Sequence, residues 1–388
     1  MDRFGLRLLK LLAVGMYFVG TLMFAFTKEE SSNLLFVAGI LVALGCTSSL
    51  ICNHQISSMF PKFRGFAIAL MSGAFDSSTV ITFLITKTFP SISLQTSFVV
   101  VACCALFYGT MMGLFGLTQW SQDMSNRGMK TDSDGAVDQQ GDKHRNGDEE
   151  VESGAKCNVD ERIQAILENR YPSLRRCIFS WPFFLVTLFF MFGILRFSYF
   201  LNQMGQQLTY MFGDDVTTIN ELRAVSSALQ MGGFLVSPIS GFVLDTSRAY
   251  YRRLIERKLQ NEDDIVSDDV IYWIHLTGIA PAFLLMAISA LAFSVLNFVR
   301  VKAAFYATFI FFVILRSLLF SASISFVLIA FPIRFFGTVN GIVNTTGGIF
   351  SLLQYGIIEL PAVPGNGLAI GIAAVLFVTP VILFCKRC

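Results

Sequence analysis

Ten apolar stretches, separated by short charged or polar turns, decide what this chain can fold into. They cover residues 7–26, 33–53, 65–88, 94–119, 181–204, 221–245, 270–297, 302–330, 337–359 and 366–385. About 20 predominantly apolar residues cross the hydrocarbon of a bilayer as one helix, and a helix satisfies its own backbone there. Only 14% of the 388 residues are charged, against 54% hydrophobic, whereas a soluble domain carries roughly 25% charged residues. The stretches therefore read as an all-α polytopic membrane protein.

Composition also excludes several roles. A net charge of +2 gives no basic excess for nucleic acid, and the expected partners are a small-molecule substrate and the lipid bilayer. Oligomeric state stays open. The three His, at His54, His144 and His275, are scattered, so no metal site and no cofactor are expected. Neither His-Glu-x-x-His nor Gly-x-Ser-x-Gly occurs, which argues against an enzyme. The eight Cys show no paired spacing; Cys46, Cys52, Cys103 and Cys104 fall in apolar runs, where Cys acts as a small hydrophobe. Cys385-Lys386-Arg387-Cys388 reads as a juxtamembrane tail, palmitoylated or without a role, and its charged middle excludes a prenylation box.

Charge asymmetry sets the orientation. If the N-terminal turn and the long central loop lie inside, the inner short segments hold thirteen basic residues. These are Arg3, Arg7, Lys10, Lys62, Arg64, Arg248, Arg252, Arg253, Arg257, Lys258, Arg334, Lys386 and Arg387. The opposite side holds five: Lys28, Lys87, Arg223, Arg300 and Lys302. Both termini are then cytoplasmic.

The organisation is a partial N-terminal bundle of four spans (1–119), a cytoplasmic loop (120–180) and a C-terminal six-helix bundle (181–388). Residues 128–156 are polar, lack apolar periodicity and are expected to be disordered. Asn158 and Glu161 then form a capping-box-like start. Val159, Ile163, Ile166 and Leu167 follow at helical spacing, and Pro172 ends the run. The expectation is a short amphipathic helix on the membrane surface.

Asp2-Arg3-Phe4-Gly5-Leu6-Arg7 resembles the loop signature of the major facilitator superfamily, Asp-Arg-x-Gly-Arg, which joins the second and third helices. A weaker copy, Gly241 to Arg248 with Asp245 between them, sits where the other half would carry it. A carboxylate at the membrane surface can pair with Arg or face a neighbouring helix N-terminus in one conformation and lose that partner in the other. Asp2, Arg3, Arg7, Asp245 and Arg248 are thus candidate gating residues.

Charges inside the spans are few: Asp76, Arg196 and Arg316, with His275 and Glu359 nearer the ends. A charge at mid-bilayer costs about 2.5–3.5 kcal/mol on insertion scales and usually faces a polar interior. Asp76, with Ser77 and Ser78, lies in a small polar patch, and Arg196 has Asn202 further along its helix. These residues and Arg316 are the candidate substrate-binding set. Gly109–Gly113, Gly337–Gly341 and Gly367–Gly371 suggest close helix packing. Pro238, Pro281 and Pro380 suggest kinks.

Two longer stretches extend the resemblance. They run from Met59-Phe60-Pro61-Lys62-Phe63-Arg64-Gly65 to Asp76-Ser77-Ser78, and from Arg316-Ser317-Leu318-Leu319-Phe320 to Phe331-Pro332 and Phe336-Gly337 through Gly341. They are similar to solute carrier family 43, facilitative carriers of large neutral amino acids and purine nucleobases. The resemblance implies a major facilitator fold with ten of twelve helices present and the first two missing. It also implies alternating access and a place in the plasma membrane. Phe75-Asp76-Ser77-Ser78 looks like the nucleobase carrier, whereas Leu195-Arg196 looks like the amino-acid carriers. The reading leans to large neutral amino acids, with purine nucleobases as the alternative. A non-transporting truncated isoform or a receptor-like protein is the reading from another class. A chain begun at Met1 without two upstream helices is expected to transport poorly.

Overall fold

A computed structural model describes residues 6–56, 63–116, 147–213, 215–260 and 267–386, with no strand among them. The first helices are α1 (Leu6–Phe26), α2 (Leu34–Ile56), α3 (Arg64–Ser77), α4 (Thr79–Thr88) and α5 (Leu94–Met111). After the central loop come α6 (Gly147–Arg170), α7 (Leu174–Ile178), α8 (Trp181–Phe212), α9 (Val216–Met231) and α10 (Gly233–Gln260). The rest are α11 (Asp268–Thr277), α12 (Ala280–Leu296), α13 (Lys302–Ala330), α14 (Phe336–Ser351), α15 (Leu353–Ile358), α16 (Ala362–Val375) and α17 (Val378–Cys385).

Among the described residues, seven helical stretches are long and apolar enough to cross a membrane, or eight if α9 and α10, bent by 51°, count as one span. The apolar stretches 65–88 and 337–359 each divide into two short helices, α3 with α4 and α14 with α15. Two of the three prolines open a helix just after a break, at Gly278–Ile279 and at Leu376–Phe377, within a stretch long enough to cross a membrane. Pro281 sits in the first turn of α12 and Pro380 near the start of α17, positions where its missing N–H costs nothing. Pro238 alone lies within a helix interior.

By contact the chain forms two units, Met1–Pro61 with Val80–Cys157, and Lys62–Thr79 with Asn158–Cys388. In the first, α2 and α5 pack along α1. Helices in lipid gain no hydrophobic term by associating, so close van der Waals packing at small residues does the work. A Cβ added at Gly45 would lie 2.7 Å from Ala13 O and Tyr17 N, and one at Gly109 would lie 2.6 Å from a Val14 methyl. Of the three Gly-x-x-x-Gly patterns, Gly109–Gly113 thus marks a packed seam. Gly341, Gly367 and Gly371 have open space around them. Lys10, which the orientation count places on the inner flank, is buried between α1 and α2. Its ammonium donates to Ser49 Oγ at 2.5 Å and Asn53 Oδ1 at 2.9 Å, and these acceptors replace water.

The second unit is built around α13, which is buried over most of its length by α3, α8, α9, α10 and α12. Phenylalanines fill the seams: Phe189 lies 4.2 Å from Phe283, and Phe200 touches both Phe293 and Phe312. Asn344, in a glycosylation-like triplet, sits inside α14 and bonds Asn340 O.

The amphipathic segment departs from expectation in two ways. α6 begins at Gly147, so Asn158 and Glu161 lie within it rather than at its start. Its apolar face rests on protein, not lipid: Val159, Ile163, Ile166 and Leu167 are all buried. Charges at the ends of α10 and α11 explain the choice. Asp160 pairs with Arg252, Arg162 with Asp268 and Arg170 with Asp269, and Tyr171 Oη meets Tyr272 Oη at 2.9 Å. Exposed ion pairs contribute about 0–1 kcal/mol each, so they orient the helix while apolar burial holds it. α7 turns Cys177 inward, where burial pushes the thiol up to about 11.

Gly45→Val should destabilise the first unit by about 1–3 kcal/mol, since the added methyls meet backbone that cannot rotate away. Gly39→Ala, with nothing within 4 Å of the new Cβ, should leave the melting temperature unchanged. Detergent thermal melts of the two variants check the contrast.

Candidate functional site

The first helical turn of α3 leaves backbone donors without intrahelical partners. Asp245 on α10 supplies them: Gly65 N donates to Oδ1 at 2.8 Å and Phe66 N to Oδ2 at 2.8 Å. Both carboxylate oxygens are used, and the negative charge faces the positive end of the helix dipole. Two glycines allow the approach. A Cβ at Gly65 would fall 2.6 Å from Asp245 Oδ1, and one at Gly241 would fall 2.5 Å from Phe66 Cα. Gly241 and Asp245, four residues apart, lie on one face of α10 and grip α3 together. Arg248, one turn further on, is close enough to feel the Asp245 charge.

A second set of polar groups lies inside the helices of the same unit. Arg196 on α8 has no exposed surface. Its Nε donates to Ser294 Oγ on α12 at 2.9 Å, and its guanidinium carbon stands 4.1 Å from the Phe293 ring centroid. Neither terminal guanidinium nitrogen has a hydrogen-bond partner among the described residues. Tyr199 and Phe200 complete an aromatic surround, and a desolvated cation–π contact contributes about 2 kcal/mol. Tyr199 itself is buried among Leu195, Ile357, Ala369 and Ile372.

One helical turn further, Gln203 and Gln207 join Asn366 of α16. Gln203 Nε2 donates to Asn366 Oδ1 at 3.0 Å, Asn366 Nδ2 to Gln207 Oε1 at 3.0 Å, and Gln207 Nε2 to Asn297 O at 2.8 Å. This buried amide set lets α8 continue to Phe212, eight residues past the end expected at 204. The amides satisfy one another, so they do not stop the helix. Their spacing, two Gln four apart in an apolar helix, was the readable signal.

The candidate residues therefore do not form one cluster. Arg196 turns to α12. Asn202 turns to α15, where its Nδ2 donates to Gln354 Oε1 at 2.7 Å. Arg316, on α13, is buried with its guanidinium 5.6 Å from the Phe197 ring, which stacks on Phe312. Asp76 and Ser77 belong to α3, and their side chains lie outside the described residues; Ser78 is exposed at the break before α4. Asp2 and Arg3 also lie outside the described residues, and Arg7 is exposed on α1. No group of His, Cys, Asp and Glu suited to a metal occurs among the described residues.

Residues 1–354 match the Major Facilitator Superfamily. The chain belongs to that superfamily. It is 27% identical over 366 residues to the "Equilibrative nucleobase transporter 1" of Bos taurus, covering 92% of this chain and 72% of that one. It is 24% identical over 351 residues to the "Amino acid transporter 6-1" of Toxoplasma gondii, covering 88% of this chain and 54% of that one. This major facilitator is a multi-pass membrane transporter of a small molecule, not an enzyme.

A hydrogen bond to a charged group contributes about 1.5–3 kcal/mol, so the paired Asp245 bonds form a substantial local contact. Asp245→Ala should raise amide exchange at Gly65 and Phe66 at least tenfold while purified protein stays monodisperse. Asp245→Glu, which keeps the charge on a longer stem, should restore part of the protection. Exchange mass spectrometry of peptides beginning near Phe63 reads both.

Proposed function

We propose that this transporter is a facilitative carrier of a planar, uncharged heteroaromatic solute of the nucleobase class, working by alternating access. The observation that carries the reading is the Asn202–Gln354 amide pair. Amides offer donors and acceptors without net charge, which suits the edge of a nucleobase. A zwitterionic amino acid instead needs opposite charges held ready for its carboxylate and ammonium. Arg196, which the lean toward amino acids would use for the carboxylate, is enclosed by α8 and α12. The printed name of the bovine relative supports the same class.

Large neutral amino acids are the second reading, favoured by Arg316 and by the name of the Toxoplasma relative. In either case Asp76 is assigned to the solute, and Asp245 with Arg248 to the gate. The carboxylate holds the α3 N-terminus in one conformation and releases it in the other. Residence in the plasma membrane with both termini cytoplasmic belongs to the same proposal.

Uptake of labelled adenine and labelled leucine into cells expressing the chain, normalised to surface-biotinylated protein, separates the readings. Adenine uptake should exceed the vector control and resist competition by leucine. Asn202→Ala should lower it about tenfold, the cost of roughly one hydrogen bond left unmade. Leucine uptake that adenine does not inhibit would overturn the nucleobase assignment. For Asp76→Asn, reduced uptake at normal surface level is expected, and unchanged uptake would remove Asp76 from the solute site.

A further inference from the structure

At one end of the second unit a cleft of about 520 Å³ opens among the C-terminus of α6, the short α7, the start of α8, the first turns of α11 and the end of α17. Its wall carries four cations, Arg170, Arg175, Arg176 and Lys386, against a single carboxylate, Asp269. That carboxylate is already taken: Arg170 pairs with it while stacking 4.4 Å from the Tyr272 ring centroid. Lys386 is held over the Trp273 ring at 5.4 Å. Arg175 and Arg176 are exposed and make no ion pair among the described residues. The cleft therefore presents two fixed cations and two uncommitted ones, with no other carboxylate among its described lining residues.

Its rim is of the opposite character. Phe179 is 87% exposed and Trp181 60%, and Trp181 stacks edge-on against Phe184 of α8. These rings stand where α8 enters the bilayer, the level at which Trp anchors to the membrane interface. A soluble phosphate would use the cations and leave the exposed rings idle. A lipid uses both, with its headgroup phosphate among the guanidinium groups and its glycerol and upper acyl chain against the rings.

We propose that this cleft is a binding site for an anionic phospholipid of the adjoining leaflet. Arg175 and Arg176 grip the headgroup phosphate, and Trp181 and Phe179 seat the chain. Basic pockets at helix ends on the cytoplasmic side suit such headgroups, and the cleft lies on that side in the orientation proposed above. The site joins α6, α8, α11 and α17 through one ligand, so lipid occupancy also fastens the docked α6 helix to the bundle. The inference is independent of the transported solute.

The test is native mass spectrometry and thermal melting of the purified full chain with phosphatidylserine, phosphatidylcholine or inorganic phosphate added to the detergent micelle. Phosphatidylserine should bind and raise the melting temperature, phosphatidylcholine should not, and inorganic phosphate should bind far more weakly. Arg175→Ala with Arg176→Ala should weaken phosphatidylserine binding about tenfold or more. Arg257→Ala with Lys258→Ala, an exposed basic pair elsewhere on α10, should leave it unchanged. Trp181→Ala should weaken the lipid but not inorganic phosphate. Equal losses in the two double variants, equal binding of phosphatidylcholine, or stabilisation by inorganic phosphate as large as by the lipid would each overturn the proposal. Each variant is scored only as a monodisperse protein, and if the double alanine variant does not fold, Arg175→Gln and Arg176→Gln made singly carry the test.

Discussion

The contact between the Asp245 carboxylate and the first-turn amides of α3 organises the second unit, because three separate requirements meet at that point. A helix N-terminus near the membrane surface needs acceptors for its unpaired donors. A carboxylate at the same depth needs donors for both oxygens. The backbones must come close enough for 2.8 Å bonds, and Gly65 and Gly241 are what permit it. From this grip α3 runs along α10 and against α13, the helix around which the unit is built. The contact is charged, short and made to backbone, so it is strong when formed.

Polarity within the rest of the unit is turned inward: the buried amides bond one another, while the terminal nitrogens of Arg196 have rings rather than hydrogen-bond partners about them among the described residues. Gln203, Gln207 and Asn366 bond to one another, and Arg196 rests on Phe293 with its Nε on Ser294. Such closed arrangements fix helix register in a medium that offers no water. The Asn202–Gln354 pair differs. Asn202 is exposed while Gln354 is buried, so Asn202 is the amide with access to another partner. Among the described polar residues of α8, this distinction separates the closed amide set from the residue we propose for the solute.

The sequence made much of this legible, and its failures have physical causes. Apolar run length located the long helices because a bilayer imposes one length on every span, but the stretches 65–88, 270–297, 337–359 and 366–385 are each broken in two. The repeat at Gly241–Arg248 pointed to Asp245, yet its partners at Gly65 and Phe66 were invisible, since backbone amides carry no signature in the residue letters. Arg196 stood out as a candidate because an intramembrane charge is rare, but its contacts with the Phe293 ring and Ser294 Oγ carry no signature in the residue letters. The apolar stripe of α6 was read correctly as a stripe. Its partner was misassigned to lipid because the matching charges, Arg252, Asp268 and Asp269, lie about a hundred residues away in the chain.

The central claim is that the α3 N-terminus alternates between being held by Asp245 and being free. Hydrogen–deuterium exchange at Gly65 and Phe66, followed in proteoliposomes with and without the transported solute, tests it most directly. The account predicts strong protection at rest in wild type, loss of that protection in Asp245→Ala, and faster exchange when solute drives turnover. Exchange that is equal in wild type and Asp245→Ala, or unchanged by turnover, would contradict it.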